Sequence, residues 1–317
     1  MFVPLSLNAG DFEISITSRG IPATENFEVL SFFSQKTIHP DGFVNDGFPA
    51  GFIIDDQIYL GTGESEFNTI FEDFYVYSTQ GDSWTPLQST SNLPYRSGSG
   101  GFTVNGKGYL LHGGVELWEF DPITRFWKEL AQPPIESRFP LVIGNNVYFV
   151  QENFFGNSVY RYSLLNDEWT KMNDFDGPMR FGLVGFVIDD VAYIGQGIDM
   201  DTQDLFNDFW KYDEATDSWS EVSGPTPRAA LQEGVGFSLN GKGYIGLGRS
   251  QNNNTRFFQY TPETDSWQVI AELPAEPRIK THAFVAEKKI YLMYGQEAAA
   301  NNTPRIDEVW EFTPETF

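Results

Sequence analysis

The chain has 317 residues, enough to bury a large core, and carries a formal net charge of −24. That charge argues against nucleic acid and anionic membrane surfaces, both of which need a basic face. With no cysteine, disulfides, thiolate metal sites and a cysteine nucleophile are excluded.

The composition, with 30 Gly, 18 Pro and 16% aromatic residues, favours many short strands and tight turns over helices. No apolar run approaches the length of a membrane-spanning helix. Met1 to Leu7 lack the basic and apolar regions of an export signal, which leaves either a cytoplasmic protein or a mature chain without its signal.

Residues 1–23 match no repeat and read as an N-terminal extension. Within them Phe12, Ile14 and Ile16 alternate with Glu13 and Ser15, which predicts a short half-buried strand. Residues 24–30 look like a displaced copy of a pattern that recurs five times downstream. Those copies are Asp82-Ser83-Trp84, Arg125-Phe126-Trp127, Asp167-Glu168-Trp169, Asp217-Ser218-Trp219 and Asp265-Ser266-Trp267. Each reads acid or Arg, any residue, Trp, then an apolar residue three positions on. Phe27 and Leu30 fit with Phe in place of Trp.

From residue 50 onward a unit recurs six times. An apolar residue and a Tyr stand seven apart in Phe52/Tyr59, Phe102/Tyr109, Leu141/Tyr148, Phe186/Tyr193, Phe237/Tyr244 and Phe284/Tyr291. Between them lie turn pairs such as Asn105-Gly106 and Asn240-Gly241, which suit two-residue hairpins. Glycines follow in Gly61-Thr62-Gly63, Gly113-Gly114, Gly195-Gln196-Gly197, Gly246-Leu247-Gly248 and Gly295, whereas the third unit carries Gln151-Glu152 there. A loop then leads to a third strand with a second aromatic, seven before each Trp. For the sixth unit, whose aromatic is Phe312, the Trp slot falls past the last residue.

Four strands repeating every 39 to 51 residues describe a β-propeller blade. Six blades are expected, with first-to-third strands at 50–77, 100–120, 139–162, 184–212, 235–260 and 282–312. One blade cannot bury both faces, so the ring has to close. Residues 24–30 are expected to pair with 308–313 and complete it, making 24–317 one propeller domain. The double glycine, the aromatic of the third strand and the Trp of the fourth resemble the kelch family of propellers, over roughly residues 24 to 317. The resemblance implies an all-β, six-bladed ring.

Strand order puts the second-to-third loops and the blade-linking segments on one face, where a site is expected because these segments are long and vary. An arginine precedes each new blade: Arg96, Arg138, Arg180, Arg228 and Arg278, with Lys36 or His39 in the sixth slot. Such a ring suits an oxyanion; alternatively, each Arg ties neighbouring blades together. Acidic and aromatic loop residues gather there too: Glu64, Glu66, Phe67, Glu72 and Asp73; Phe154 and Phe155; Asp199, Asp201, Asp204, Phe206 and Asp208; Asp307 and Glu308. They read either as sugar-binding groups or as a solvated acidic rim. His39 and His282 fall near blade starts on that face, while His112 ends a strand. Asp199, Asp201 and Asp204 have a hint of calcium-loop spacing but lack the Gly and Glu of an EF-hand loop, so no cofactor is expected apart from calcium as an open alternative.

Among relatives suggested by the resemblance, galactose oxidase chemistry needs a tyrosine crosslinked to cysteine and is excluded here. N-acetylneuraminate epimerase, also a six-bladed kelch ring, remains as an alternative: an isomerase of acidic sugars with an acid/base pair beside the arginines. The reading preferred from the sequence is a monomeric, non-catalytic module that binds a glycan or a protein, with no membrane insertion. The bacterial kelch resemblance implies a periplasmic or extracellular location, with cytoplasmic as the alternative.

Overall fold

A computed structural model of the chain describes residues 12–18, 21–27, 32–38, 50–62, 74–87, 98–112, 115–137, 139–152, 156–226, 229–250, 255–298 and 306–314. The described residues form six four-stranded antiparallel blades. In chain order, the inner strands are Ala50–Ile54, Gly98–Val104, Pro140–Ile143, Val184–Ile188, Val235–Leu239 and His282–Ala286, belonging to blades I to VI. Each packs on the next around the ring, and His282–Ala286 packs back on Ala50–Ile54. The sequence therefore gives an all-β, six-bladed propeller, with blade positions as expected from the repeat.

The seven-residue interval has a direct cause. A two-residue turn places each apolar residue across from its Tyr, as in Phe52↔Tyr59 and Phe237↔Tyr244, and these rings stack at 5.1 and 5.2 Å. The turn residues adopt left-handed backbone, for example Asn105 at φ 51° and Gly106 at 71°. Asn, Asp and Gly tolerate this conformation best, which is why they dominate the turn pairs. The second residue of the double glycine has a different cause. A Cβ on Gly248 would lie 2.7 Å from the Gln232 carbonyl oxygen, and one on Gly295 would lie 3.0 Å from that of Ile279. The residue before it needs only positive φ, and Gln196, Leu247 and Tyr294 supply it at 58° to 62°. Hence the family's double glycine is degenerate at its first position here.

The ring closes from the N-terminus, but not through residues 24–30. Residues Ile21–Phe27 instead pair with Phe12–Ser18 in a separate two-stranded hairpin. The outer strand of blade VI is Phe33–Lys36, antiparallel to Val309–Phe312. Phe33 lies across from Phe312 and stacks on it at 4.6 Å, the place that Trp takes across from the second aromatic in the other blades. The acid or Arg two residues before each Trp adopts left-handed backbone in the hairpin joining third and fourth strands: Asp82, Arg125, Asp167, Asp217 and Asp265, at φ 46° to 56°. Blade VI has no such hairpin, because its fourth strand arrives from elsewhere in the chain. The motif that pointed to Glu25 and Phe27 was thus a turn motif, which the closing strand does not need. Lys36 occupies the slot expected to be apolar, and its Nζ lies 3.2 Å from Glu311.

The turn aspartates also staple blades together at the outer rim. Asp167 accepts the phenol of Tyr162 at 2.5 Å and the backbone N–H of Ala131, in the preceding blade, at 2.7 Å. Trp169 donates to the Ala131 carbonyl at 2.8 Å. The same set recurs with Asp265, Tyr260 and Trp267 on Ser223, and with Asp82, Tyr77 and Trp84 on Thr37, just after the closing strand. Burial pushes these three carboxyls up, but the phenol and backbone donors outweigh it and hold them below the ordinary carboxylate range. Where Arg125 replaces the acid, and where no turn exists, the paired aromatic is Phe120 or Phe312 instead of Tyr. A buried phenol needs a partner, so hydroxyl and aspartate come and go together.

Candidate functional site

The six inner strands enclose an axial channel with a cavity volume of about 570 Å³, within the range of small-ligand pockets. Deep in it, one residue before the end of each inner strand, stands a half-buried residue from every blade: Ile53, Thr103, Val142, Val187, Ser238 and Val285. Two residues nearer the mouth, inner strands of neighbouring blades meet backbone to backbone. A Cβ on Gly101 would fall 2.0 Å from the Gly51 carbonyl oxygen, and one on Gly236 would fall 2.2 Å from that of Gly185.

The charged lining lies at one end, the face of the blade-linking segments. It comprises Glu152, Glu233, Lys280 and the partly exposed His282. Glu233 and Lys280 each stand two residues before an inner strand, where blade IV has Gly182, and all three adopt left-handed backbone (φ 55°, 58° and 69°). They are knit together through the backbone: Glu233 N–H donates to the Gly182 carbonyl at 2.9 Å, and Lys280 N–H donates to that of Glu233 at 3.3 Å. Left-handed backbone at a long non-glycine residue is costly, and such residues cluster at binding sites. Glu152 stands where the other blades carry glycine after the second strand. His282 opens the inner strand of blade VI and stacks on Phe284 at 6.1 Å. Although its ring borders the channel, protein surrounds it, and burial pushes its pKa down to about 4. The imidazole is therefore neutral at physiological pH.

Two of the predicted arginines are described, and both are buried within their own blades. Arg180 forms a bidentate pair with Asp208, at 2.6 and 2.7 Å, and donates to the Pro178 and Gln196 carbonyls. Its guanidinium lies 4.4 Å from the Phe206 ring centroid. Arg278 pairs with Glu308 at 2.6 Å and donates to the Glu276 carbonyl at 3.1 Å. In each case the acid also accepts the indole N–H of the Trp two residues on, Trp210 or Trp310, at 2.8 Å. Burial pushes Asp208 and Glu308 up, yet the arginine and indole donors hold both below the ordinary range. Burial pulls Arg278 down, opposed by Glu308.

The structure does not bring Arg180 and Arg278 onto a shared acid. Asp199 accepts the backbone N–H groups of Asp201 and Thr202 at 2.8 and 3.1 Å and so organises its own turn. Asp201 and Asp204 are exposed at its edge. Among the described residues no group of three or more His, Asp or Glu gathers in a way that could hold a metal. Arg96, Arg138, Arg228, His39, Glu64, Glu66, Phe67, Glu72, Asp73, Phe154 and Phe155 lie outside the described residues. Sequence reasoning missed Glu152, Glu233 and Lys280. Counting back two positions from each inner strand would have flagged the last two.

Comparison with known proteins agrees with this architecture. The chain is 26% identical over 175 residues to an F-box/kelch-repeat protein of Arabidopsis thaliana, covering 49% of this chain and 39% of that protein. It is 23% identical over 248 residues to Kelch-like protein 25 of Xenopus tropicalis, covering 69% of this chain and 39% of that protein. It is 28% identical over 123 residues to N-acetylneuraminate epimerase 2 of Escherichia coli O6:H1, covering 37% and 33%. The matches thus span less than half the length of these relatives. No protein-family model matches the chain. No helix among the described residues is long and apolar enough to cross a membrane. The chain is thus a six-bladed β-propeller with kelch-repeat homologues at modest identity.

Proposed function

We propose that this propeller is a non-catalytic protein-binding module whose partner seats on the face formed by the blade-linking segments and the second-to-third loops. The observation that carries the reading is the pairing of Arg180 with Asp208 and of Arg278 with Glu308. A sugar isomerase built on the arginines would need an acid perturbed between them and free to move a proton. Here each carboxylate is held ionised by its own guanidinium and an indole N–H, which favours a structural role. What remains toward solvent on that face is a channel mouth with mixed charges, suited to recognition. The kelch-repeat homologues support an interaction role.

The test compares charge reversals on the two faces. Asp201→Lys with Asp204→Lys should remove partners recovered with the wild-type chain, whereas Ala215→Lys with Glu263→Lys, on the opposite face, should retain them. Equal loss from both faces would refute the placement. In parallel, NMR should show N-acetylneuraminate anomers interconverting no faster with the protein than without it. Acceleration would overturn the non-catalytic reading in favour of an epimerase.

A further inference from the structure

The channel and the charge around it narrow the chemistry of the partner. We propose that the partner presents a basic polypeptide segment with one apolar side chain, and that this side chain enters the channel while its basic flanks meet the acidic rim. The proposal rests on the protein-binding reading above.

The apolar half of the argument is the channel wall below the mouth. Phe139, Pro140, Phe181 and Ala283 line it with glycine backbone, and deeper down four of the six ring residues are aliphatic, the Thr103 hydroxyl already donating to the Ile53 carbonyl at 2.5 Å. Such a ring offers little to a polar or charged group but buries a Leu or Met side chain well. The cavity has room for one large side chain with space around it.

The charge half is the surround. On the described blade-linking segments and second-to-third loops carboxylates outnumber cations. The cations are Arg180 and Arg278, already neutralised by Asp208 and Glu308, together with Arg249 and Lys280. Facing solvent are Glu136, Asp176, Asp201, Asp204 and Glu276. At the mouth itself Glu233 adopts a left-handed backbone that glycine fills in blade IV, and it borders the channel. Lys280 borders the mouth on the blade VI side, where Glu276 also faces solvent. His282 is neutral there and adds no repulsion to an incoming cation. Fields of this kind choose partners by sign and set a salt-dependent association rate.

Fluorescence anisotropy with the intact chain tests this. Three labelled synthetic peptides serve as probes: Lys/Arg residues around one Leu, the same peptide with Ser for Leu, and a Glu counterpart keeping the Leu. The basic Leu peptide should bind about tenfold more tightly than the Ser form, the size expected for burying one aliphatic side chain. Its binding should weaken as salt rises, and the acidic peptide should not bind. Ala283→Trp or Pro140→Trp, whichever keeps the wild-type melting temperature, should erase the Leu preference but not the charge preference. Glu233→Lys should weaken both basic peptides. Equal binding of the Leu and Ser forms, preference for the acidic peptide, or no binding of any probe would each overturn the proposal. Were partners still lost through Asp201→Lys with Asp204→Lys while the peptides failed, the partner chemistry would be wrong and the protein-binding reading would stand.

Discussion

The outer rim and the channel mouth use the same backbone device for opposite ends. At the rim, left-handed residues such as Asp167 close a hairpin, and their side chains are consumed by Tyr162 and by the neighbouring blade. At the mouth, left-handed Glu233 and Lys280 close no hairpin and line a cavity. The rim residue is explained fully by folding, since it satisfies a buried phenol and a backbone donor. The mouth residues are not, because glycine serves the same turn in blade IV. A strained residue such as Asp167, bound to a phenol and a neighbouring backbone, is explained by folding, whereas one such as Glu233, whose turn glycine serves in blade IV and which borders a cavity, points to a ligand.

The largest effect should come at the rim, from the closing strand. Removing residues 1–31 leaves Phe33–Lys36 in place and should change the melting temperature little. Removing residues 1–37 strips the strand and uncovers the face that Phe33 shares with Phe257 and Phe312. Losing the Phe33 ring alone costs about 3–5 kcal/mol. If thermal unfolding showed the two truncations equally stable, the closure described here would be wrong.

Next in size is a single staple. Asp167→Ala leaves the Tyr162 phenol and the Ala131 N–H without their acceptor and should cost about 1–3 kcal/mol in urea unfolding. Adding Tyr162→Phe, which imitates Phe120 of blade II, should cost less than the sum of the two single changes. Strict additivity would break the coupling between hydroxyl and acid.

pH separates the two regions further. The rim aspartates Asp82, Asp167 and Asp265 have folded values below their unfolded ones, so their contribution is complete above about pH 4 and is lost as pH falls through the folded values. His282 also has a depressed value, but for a base: the unfolded chain binds its proton first, so stability declines as pH falls from 6.5 toward about 4. The variant His282→Phe should flatten the stability profile in that window and leave the more acidic limb intact. An unchanged slope between pH 6.5 and 4 would show that the imidazole is not desolvated.

The smallest change in stability belongs to the mouth. Glu233→Gly relieves left-handed strain and should leave the fold as stable or stabilise it by about 1 kcal/mol. A marked loss of stability would assign Glu233 a structural duty like that of the rim aspartates.

Periodicity made the blades legible, because a two-residue turn forces Phe52 opposite Tyr59 and every repeat obeys it. The closing strand was misplaced because the clearest part of its template, the acid before the Trp, belongs to a turn and not to a strand. Phe33 carries the only surviving mark, and Lys36 hides the rest behind an ion pair with Glu311. The acids that hold Arg180 and Arg278 were readable in principle: Asp208-x-Trp210 and Glu308-x-Trp310 share a spacing, and Glu116-x-Trp118 repeats it, with the indole 3.2 Å from the carboxylate. The mouth was not readable by residue type. Gly182, Glu233 and Lys280 have nothing in common except a dihedral angle.

The composite blade also orders events during synthesis. Phe33–Lys36 leaves the ribosome early, yet its pairing strand Val309–Phe312 is made only after the other five blades. Until then Phe33 and the Phe257 ring of blade V lack their Phe312 partner, and uncovered apolar surface of this kind makes partly made β-proteins aggregate. Ring closure is therefore the last step, between segments far apart in sequence, and contacts of that kind are slow to form. A propeller halted before residue 309 keeps its staples between the earlier blades and still cannot finish, so its dependence on chaperones should be greatest between the fifth blade and the appearance of Val309–Phe312.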